Sequence, residues 1–234
     1  MPPIQPASLA VCSCQLNDLQ AVAGIHMKAF AARPMSALGR DAVRRYYHWL
    51  MDEVHTEAYR ITAVDSDDGK VLGFCFAGRY EGATAGFLAK NRGFLMLKVV
   101  ERPWLVFNNS LLRSRVVSAV KTLRTTSRTA DRPPTPEWLA ARAALRNSFG
   151  VLAIGVHPAH QGKGIGKLLM ANVEAEARRR GRQRMHLSVD IDNARAIGFY
   201  QRLGWVKSPP ADGGPWRGSM TKQLGDARES PPPR

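Results

Sequence analysis

The stretch from Phe149 to Arg180, FGVLAIGVHPAHQGKGIGKLLMANVEAEARRR, constrains this chain more than any other part of it. The apolar run Val151 to Val156 reads as a buried strand. Pro158 ends it, because proline fixes φ and cannot donate to a ladder. Three alternate glycines follow, Gly162, Gly164 and Gly166, and then a helix whose apolar positions Ile165, Leu168, Leu169, Val173 and Ala177 recur at helical spacing. A glycine-rich turn feeding a helix N-terminus offers unpaired N–H groups and the positive end of the helix dipole. Such a turn is an anion site, most naturally a phosphate site.

Spacing separates the known phosphate loops. A Walker A loop would need glycine where Gln161 stands and Ser or Thr where Leu168 follows Lys167. The dinucleotide fingerprint G-x-G-x-x-G would place its third glycine on Lys167 or Leu169. Neither pattern fits. The remaining run, Gln161-Gly162-Lys163-Gly164-Ile165-Gly166, resembles the Q/R-x-x-G-x-G/A loop of the GNAT superfamily, the acetyl-CoA-dependent N-acetyltransferases. The likeness covers strand, loop and helix. It continues through Asn193-Ala194-Arg195-Ala196-Ile197-Gly198-Phe199-Tyr200 to Gly204.

At 234 residues the chain can form one large domain or one domain with an elaborate insertion. Apolar residues make up 44% and charged residues 23%, as in ordinary globular proteins. No apolar run reaches the length of a membrane span. Met1 to Pro6 lacks the basic and apolar blocks of a signal peptide, so a cytoplasmic protein is expected. Cys12, Cys14 and Cys75 are too few for a disulfide framework. Cys12 and Cys14 alternate along a strand and are read as small buried thiols, with no histidine near them to complete a metal site. The net charge of +15 could suit nucleic acid, an anionic membrane surface or acidic ligands. Its densest patch, Arg178 to Arg180 with Arg182 and Arg184, can pair with Glu174 and Glu176 at i,i+4. No aromatics interleave the basic residues, so a nucleic-acid partner is not expected.

Leu9 to Cys14 reads as a first strand. Asn17 or Asp18 then caps a helix carrying Leu19, Val22, Ile25, Met27 and Phe30. Pro34 breaks it, and Arg40 to Glu53 forms a second helix on Val43, Tyr46, Tyr47, Leu50 and Met51. Tyr59 to Val64 and Lys70 to Ala77 form a hairpin across Asp65-Ser66-Asp67-Asp68-Gly69. After the Phe149 block come a strand at Met185 to Val189, a helix at Asn193 to Leu203, and closing strands at Trp205-Val206 and Trp216 to Leu224. The expected fold is α/β, with a mixed, mostly antiparallel central sheet, helices on both faces, and a helical insertion before the cofactor strand. Residues 1–224 form the domain, 79–148 the insertion, and 225–234 a disordered tail. The insertion holds a basic amphipathic stretch (Leu111, Leu112, Val116, Val117, Val120, Leu123), a proline-bearing linker from Thr125 to Pro136, and a helix opened by Thr135-Pro136-Glu137. It can serve as a lid over the acceptor, a homodimer surface, or a weak membrane-surface contact. Its layout is similar to that of GNAT-like proteins of bacterial surface-polysaccharide synthesis.

The resemblance implies a site. The amides of Gln161, Gly162, Lys163, Gly164, Ile165 and Gly166 would hold the pyrophosphate of coenzyme A, with Lys163 and Lys167 adding positive potential. Ile154 and Val156 would pair with the pantetheine along a strand edge opened by a bulge, for which Gly155 is the expected position. The Val156 N–H would face the thioester carbonyl. Tyr200 falls where the family places its general acid, beside Phe199. Asn193 caps its helix and by resemblance reaches the pantetheine amide. Residues Ala31 to Leu38 would line the acceptor pocket. No acidic residue stands in Phe149 to Ala153, so Asp190 is the leading candidate base. His186 and Glu81 stand behind it, His157 is read as structural, and a water chain could replace them all.

The expected activity is acetyl transfer from acetyl-CoA, without a metal, to a primary amine by direct attack. A small-molecule acceptor is favoured, an amino sugar or its nucleotide-linked form first. The alternatives are a protein or peptide amine, and a silent acyl-CoA-binding domain.

Overall fold

Seven strands build one sheet: β1 (Leu9–Ser13), β2 (Ala58–Asp65), β3 (Val71–Gly78), β4 (Ser148–Val156), β5 (Arg184–Ser188), β6 (Val206–Lys207) and β7 (Ser219–Gln223). They lie in the order β1-β2-β3-β4-β5-β7-β6, and every neighbouring pair is antiparallel except β4 with β5. The computed structural model describes residues 9–80, 82–101, 148–210 and 213–225. The seven helices among them are α1 (Leu19–Ala29), α2 (Pro34–Ala37), α3 (Arg40–Leu50), α4 (Ala83–Lys90), α5 (Arg92–Glu101), α6 (Ile165–Arg179) and α7 (Ala194–Arg202). The mixed sheet with helices on both faces is as the sequence predicts.

β3 explains the layering. It is apolar throughout, VLGFCFAG, and all but its first residue is buried, as expected of a strand covered on both faces. Alternate side chains go to opposite faces. Phe74 and Phe76 enter a core with Val22, Ile25, Val43, Tyr47 and Leu50 from α1 and α3. The Tyr47 ring centroid lies 5.2 Å from Phe74 and 4.9 Å from Phe76. Cys75 and Ala77 face the other way, onto Ile165, Leu169, Val173 and Ala177 of α6, with Tyr200 and Trp205 beyond. Each fully buried Leu, Ile or Phe contributes roughly 1.5–3 kcal/mol, so these two faces hold the sheet between its helices.

Local chemistry agrees with the sequence in most places and corrects it in three. The β2–β3 hairpin closes as expected, with Gly69 at φ 68°, Asp65 Oδ1 accepting from the Asp67 N–H and Asp68 Oδ1 from the Lys70 N–H. Asp18 does not cap α1: its carboxylate accepts from the Gln15 N–H and closes a 3-10 turn instead. Glu176 does pair with Arg180 at i,i+4, at 2.6 Å, but Glu174 pairs with Lys222 of β7 at 2.7 Å instead of with Arg178. The Arg178 guanidinium turns to the Leu224 carbonyl. Cys14 and Cys75 are buried thiols, whereas Cys12 is exposed, because β1 is an edge strand with its last residues uncovered.

The described part of the insertion is α4 and α5, and α4 docks on α3. Trp49 of α3 donates its indole N–H to the Ala83 carbonyl. A Cβ on Gly86 would lie 2.6 Å from the Trp49 ring, so only glycine allows α4 this close. The Arg45 guanidinium lies 4.4 Å above the Phe94 ring of α5. The amphipathic stretch, the linker and the helix expected after Thr135 lie outside the described residues, as do Glu81 and 226–234.

Candidate active site

β4 pairs with β3 along its length but with β5 only from Ser148 to Val151. The β3–β4 register runs Gly73↔Val156 to Phe76↔Ala153, then jumps to Ala77↔Val151. Leu152 is therefore the extra residue of a bulge, and beyond it β4 and β5 separate. The expected bulge at Gly155 is wrong: Gly155 sits in regular register opposite Phe74. It is glycine for packing, since a Cβ there would lie 2.7 Å from Phe74 Cε1.

The separation opens a cavity of about 450 Å³. Its walls are the end of α1 with Ala31, Ala32 and Arg33, then Val151 to Ile154, then Leu187 to Asp190 with Asn193, Ala196 and Tyr200. Arg33 is thus the charged member of the turn expected to line an acceptor pocket. The His157 N–H bonds the Leu72 carbonyl of β3 at 2.9 Å. By strand alternation the amides of Ile154 and Val156 point the opposite way, into the gap. Two consecutive outward amides on an unpaired strand edge are a template for a ligand that pairs like a strand.

The glycine loop follows the end of β4. A 3-10 turn, Pro158–His160, follows β4, with the His157 side chain accepting from the Ala159 N–H. His157 Nε2 also lies 2.9 Å from Lys28 Nζ, consistent with its structural reading. Gln161 spends its side-chain amide on the Val156 carbonyl at 3.1 Å, tying the loop to the strand edge. Gly162 and Gly164 are left-handed, at φ 82° and 81°, with open space where a Cβ would project. This is backbone that can meet an anion closely. Lys163 and Lys167 are exposed beside it. Phe199 packs over the first turn of α6, 3.2 Å from where a Gly166 Cβ would stand.

α7 brings the remaining groups. Asn193 Oδ1 accepts from the Ala196 N–H at 3.0 Å, the expected cap. Tyr200 is buried but reaches the cavity. Burial, with Cys75 nearby as a smaller cause, pushes its hydroxyl well above the ordinary tyrosine value. The proton therefore stays on at neutral pH. Asp190 lies in the cavity wall, but Arg33 holds it at 3.3 Å, with both side chains nearly half exposed. His186 does not join them. It hydrogen-bonds Ser148 at 2.7 Å, and neither residue lines the cavity.

One wall residue escapes sequence reasoning. His26 sits on the buried face of α1, its Nδ1 2.9 Å from the Tyr47 hydroxyl and its Nε2 buried without a partner among the described residues. Burial pushes its pKa down to about 4, so the ring is neutral at pH 7. Its place in the run LQAVAGIHMKA reads as one more helix-face position, and only the tertiary contact with Tyr47 marks it. Among the described residues no cluster of His, Cys, Asp and Glu could hold a metal, and no helix is long and apolar enough to cross a membrane.

Comparison with known proteins agrees with this geometry. Residues 137–205 match the model of the acetyltransferase (GNAT) family. Over 54 residues the chain is 42% identical to the L-methionine sulfoximine/L-methionine sulfone acetyltransferase of Salmonella typhimurium, covering 23% of this chain and 32% of that protein. Over 69 residues it is 37% identical to the mycothiol acetyltransferase of Jonesia denitrificans, covering 30% of this chain and 22% of that one. The matches thus span a third or less of these curated relatives. The fold is similar to that of the PaiA N-acetyltransferase of Thermoplasma acidophilum in complex with coenzyme A. There the TM-score is 0.54 at 12% identity, over 92% of this chain and 99% of that one. The parted strands and the left-handed loop fall within the segment that matches the acetyltransferase (GNAT) family, residues 137–205, and the fold is similar to that of solved GNAT N-acetyltransferases.

Proposed function

We propose that this site transfers an acetyl group from acetyl-CoA to the primary amine of a small molecule by direct attack. The observation that carries the reading is the edge of β4, unpaired with β5 beyond Val151: Ile154 lines the cavity, and Gln161 ties the left-handed glycine loop to the Val156 carbonyl at the end of that edge. The residues fit coenzyme A. Gly162 to Gly166 and the N-terminus of α6 would take its pyrophosphate, Lys163 and Lys167 would add positive potential, and Ile154 and Val156 would take the pantetheine arm. Bound acetyl-CoA supplies the thioester. In the transfer the amine nitrogen bonds the acetyl carbon, the carbon–sulfur bond breaks, the amine loses a proton and the departing sulfur gains one.

The chain's own groups divide this work. The strand-edge amides orient the carbonyl and meet the charge that develops on its oxygen. Tyr200 holds a proton in the same cavity, available to the sulfur. Cys75, buried and with its thiol pushed far up by burial, is unsuited to attack, and neither Cys12 nor Cys14 lines the cavity. Direct attack therefore stands over an acyl-enzyme. The base is less specialised. Asp190 is occupied by Arg33, and a histidine titrating near 4 is a weak acceptor for an ammonium proton. The proton leaves through solvent.

The relatives are named for methionine sulfoximine, mycothiol and streptothricin, which supports a small-molecule acceptor over a protein amine. The test is thiol release from acetyl-CoA over a panel of amines. Release with one or more amines, cut roughly 10²–10⁴-fold in kcat by Tyr200→Phe, is the expected result. Coenzyme A binding without release for any amine would make the protein a silent binder instead.

A further inference from the structure

The cavity wall carries the polar side chains of His26, Ser188, Asn193 and Tyr200 and one ion pair. Among the described residues of that wall only Arg33 and Asp190 carry formal charge at neutral pH. They reach from opposite walls: Arg33 from the turn between α1 and α2, Asp190 from the turn between β5 and α7. Their ion pair at 3.3 Å spans the cavity between those turns, and around it lie Ala29, Phe30, Ala31 and Ala32.

We propose that Arg33 and Asp190 are a recognition pair for an acceptor carrying a carboxylate beside its amine, an α-amino acid or a close analogue. This rests on the acetyl-transfer reading and names the substrate class for it. An amine arrives protonated at neutral pH and is drawn to Asp190. A carboxylate on the neighbouring carbon then meets Arg33, whose planar fork suits two carboxylate oxygens. One internal ion pair is exchanged for two with the ligand. The exchange is cheap, because a pair with side chains 48% and 42% exposed is worth only about 0–1 kcal/mol. An amine without a carboxylate must instead strip Asp190 from Arg33 and leave the guanidinium without its partner.

The experiment compares matched amines: L-phenylalanine with phenethylamine, L-leucine with isoamylamine, and glucosamine with both pairs. Thiol release from acetyl-CoA is measured for the wild-type chain, Arg33→Gln and Asp190→Asn. The amino acids are expected to exceed their decarboxylated partners at least about tenfold in kcat/KM, the worth of one charge-assisted hydrogen bond. Arg33→Gln should bring that ratio to about one, and Asp190→Asn should raise KM for every amine. Coenzyme A binding, measured alongside, shows that each variant is folded. A wild-type ratio near one, a ratio that survives Arg33→Gln, or glucosamine as the best acceptor would overturn the proposal while leaving acetyl transfer standing. Release with no amine would overturn both.

Discussion

Replacing Gly155 by alanine separates two accounts of the strand edge. The added Cβ would lie 2.7 Å from Phe74 Cε1, 2.9 Å from its Cζ and 3.5 Å from Ile25 Cγ2. Ordinary carbon contacts are about 3.5–4.0 Å. Phe74 cannot retreat easily, being fully buried with Tyr47 5.2 Å and Phe76 6.1 Å away between ring centroids. Overpacking of this kind costs about 1–3 kcal/mol. For a domain of this size that lowers Tm by roughly 2–12 °C. Urea and thermal unfolding of Gly155→Ala, Phe74→Leu and the double variant would measure it. Leucine removes the ring edge, so the double variant should lose less than the sum of the singles, by about 0.5–2 kcal/mol. Were Gly155 the bulge residue, its replacement would weaken coenzyme A binding with little change in stability. Native stability with full additivity would refute the packing argument.

Other perturbations reach different parts of the account. Gly164→Ala places a side chain at φ 81° with nothing to strike, so unfolding should show a loss of roughly 1–2 kcal/mol from backbone strain alone. His26 titrates near 4 in the fold against 6.5 in an open chain, so its neutral form is the one stabilised. That stability is whole above about pH 6.5 and is lost as pH falls towards 4, up to about 3 kcal/mol. Urea midpoints for His26→Gln should therefore fall less between those pH values than wild-type midpoints do. Lys222→Met leaves the Glu174 carboxylate, 12% exposed, without its partner and should cost about 3–5 kcal/mol by denaturant titration. Adding Glu174→Leu should recover most of it.

The strand, loop and helix of the candidate site were legible because their signal is local. Pro158, Gly162, Gly164 and Ile165 to Ala177 each follow from chain chemistry within a few residues, so strand, loop and helix fell where spacing put them. Asn193 was equally local, a cap bonding three residues onward. The bulge was not. Leu152 is displaced by the pairing of β4 with two different neighbours, and nothing in VLAIGV distinguishes it, whereas glycine at 155 invites the wrong choice. The opposite wall of the cavity depends on long-range pairs. Arg33 and Asp190 are far apart in the chain, and His26 becomes a wall residue only when α3 carries Tyr47 beneath it. The Lys222 partner of Glu174 was hidden for the same reason, since a helix pattern offered Arg178 nearer by.

The central claim is that one strand edge and one glycine loop together hold acetyl-CoA. A crystal structure of the protein with acetyl-CoA tests it most directly. The pyrophosphate should lie on the amides of Gly162 to Gly166, with the pantetheine hydrogen-bonded to the Ile154 and Val156 backbone and the sulfur beside the Tyr200 hydroxyl. A pyrophosphate bound away from the loop, or a pantetheine that leaves the edge of β4 untouched, would contradict the account.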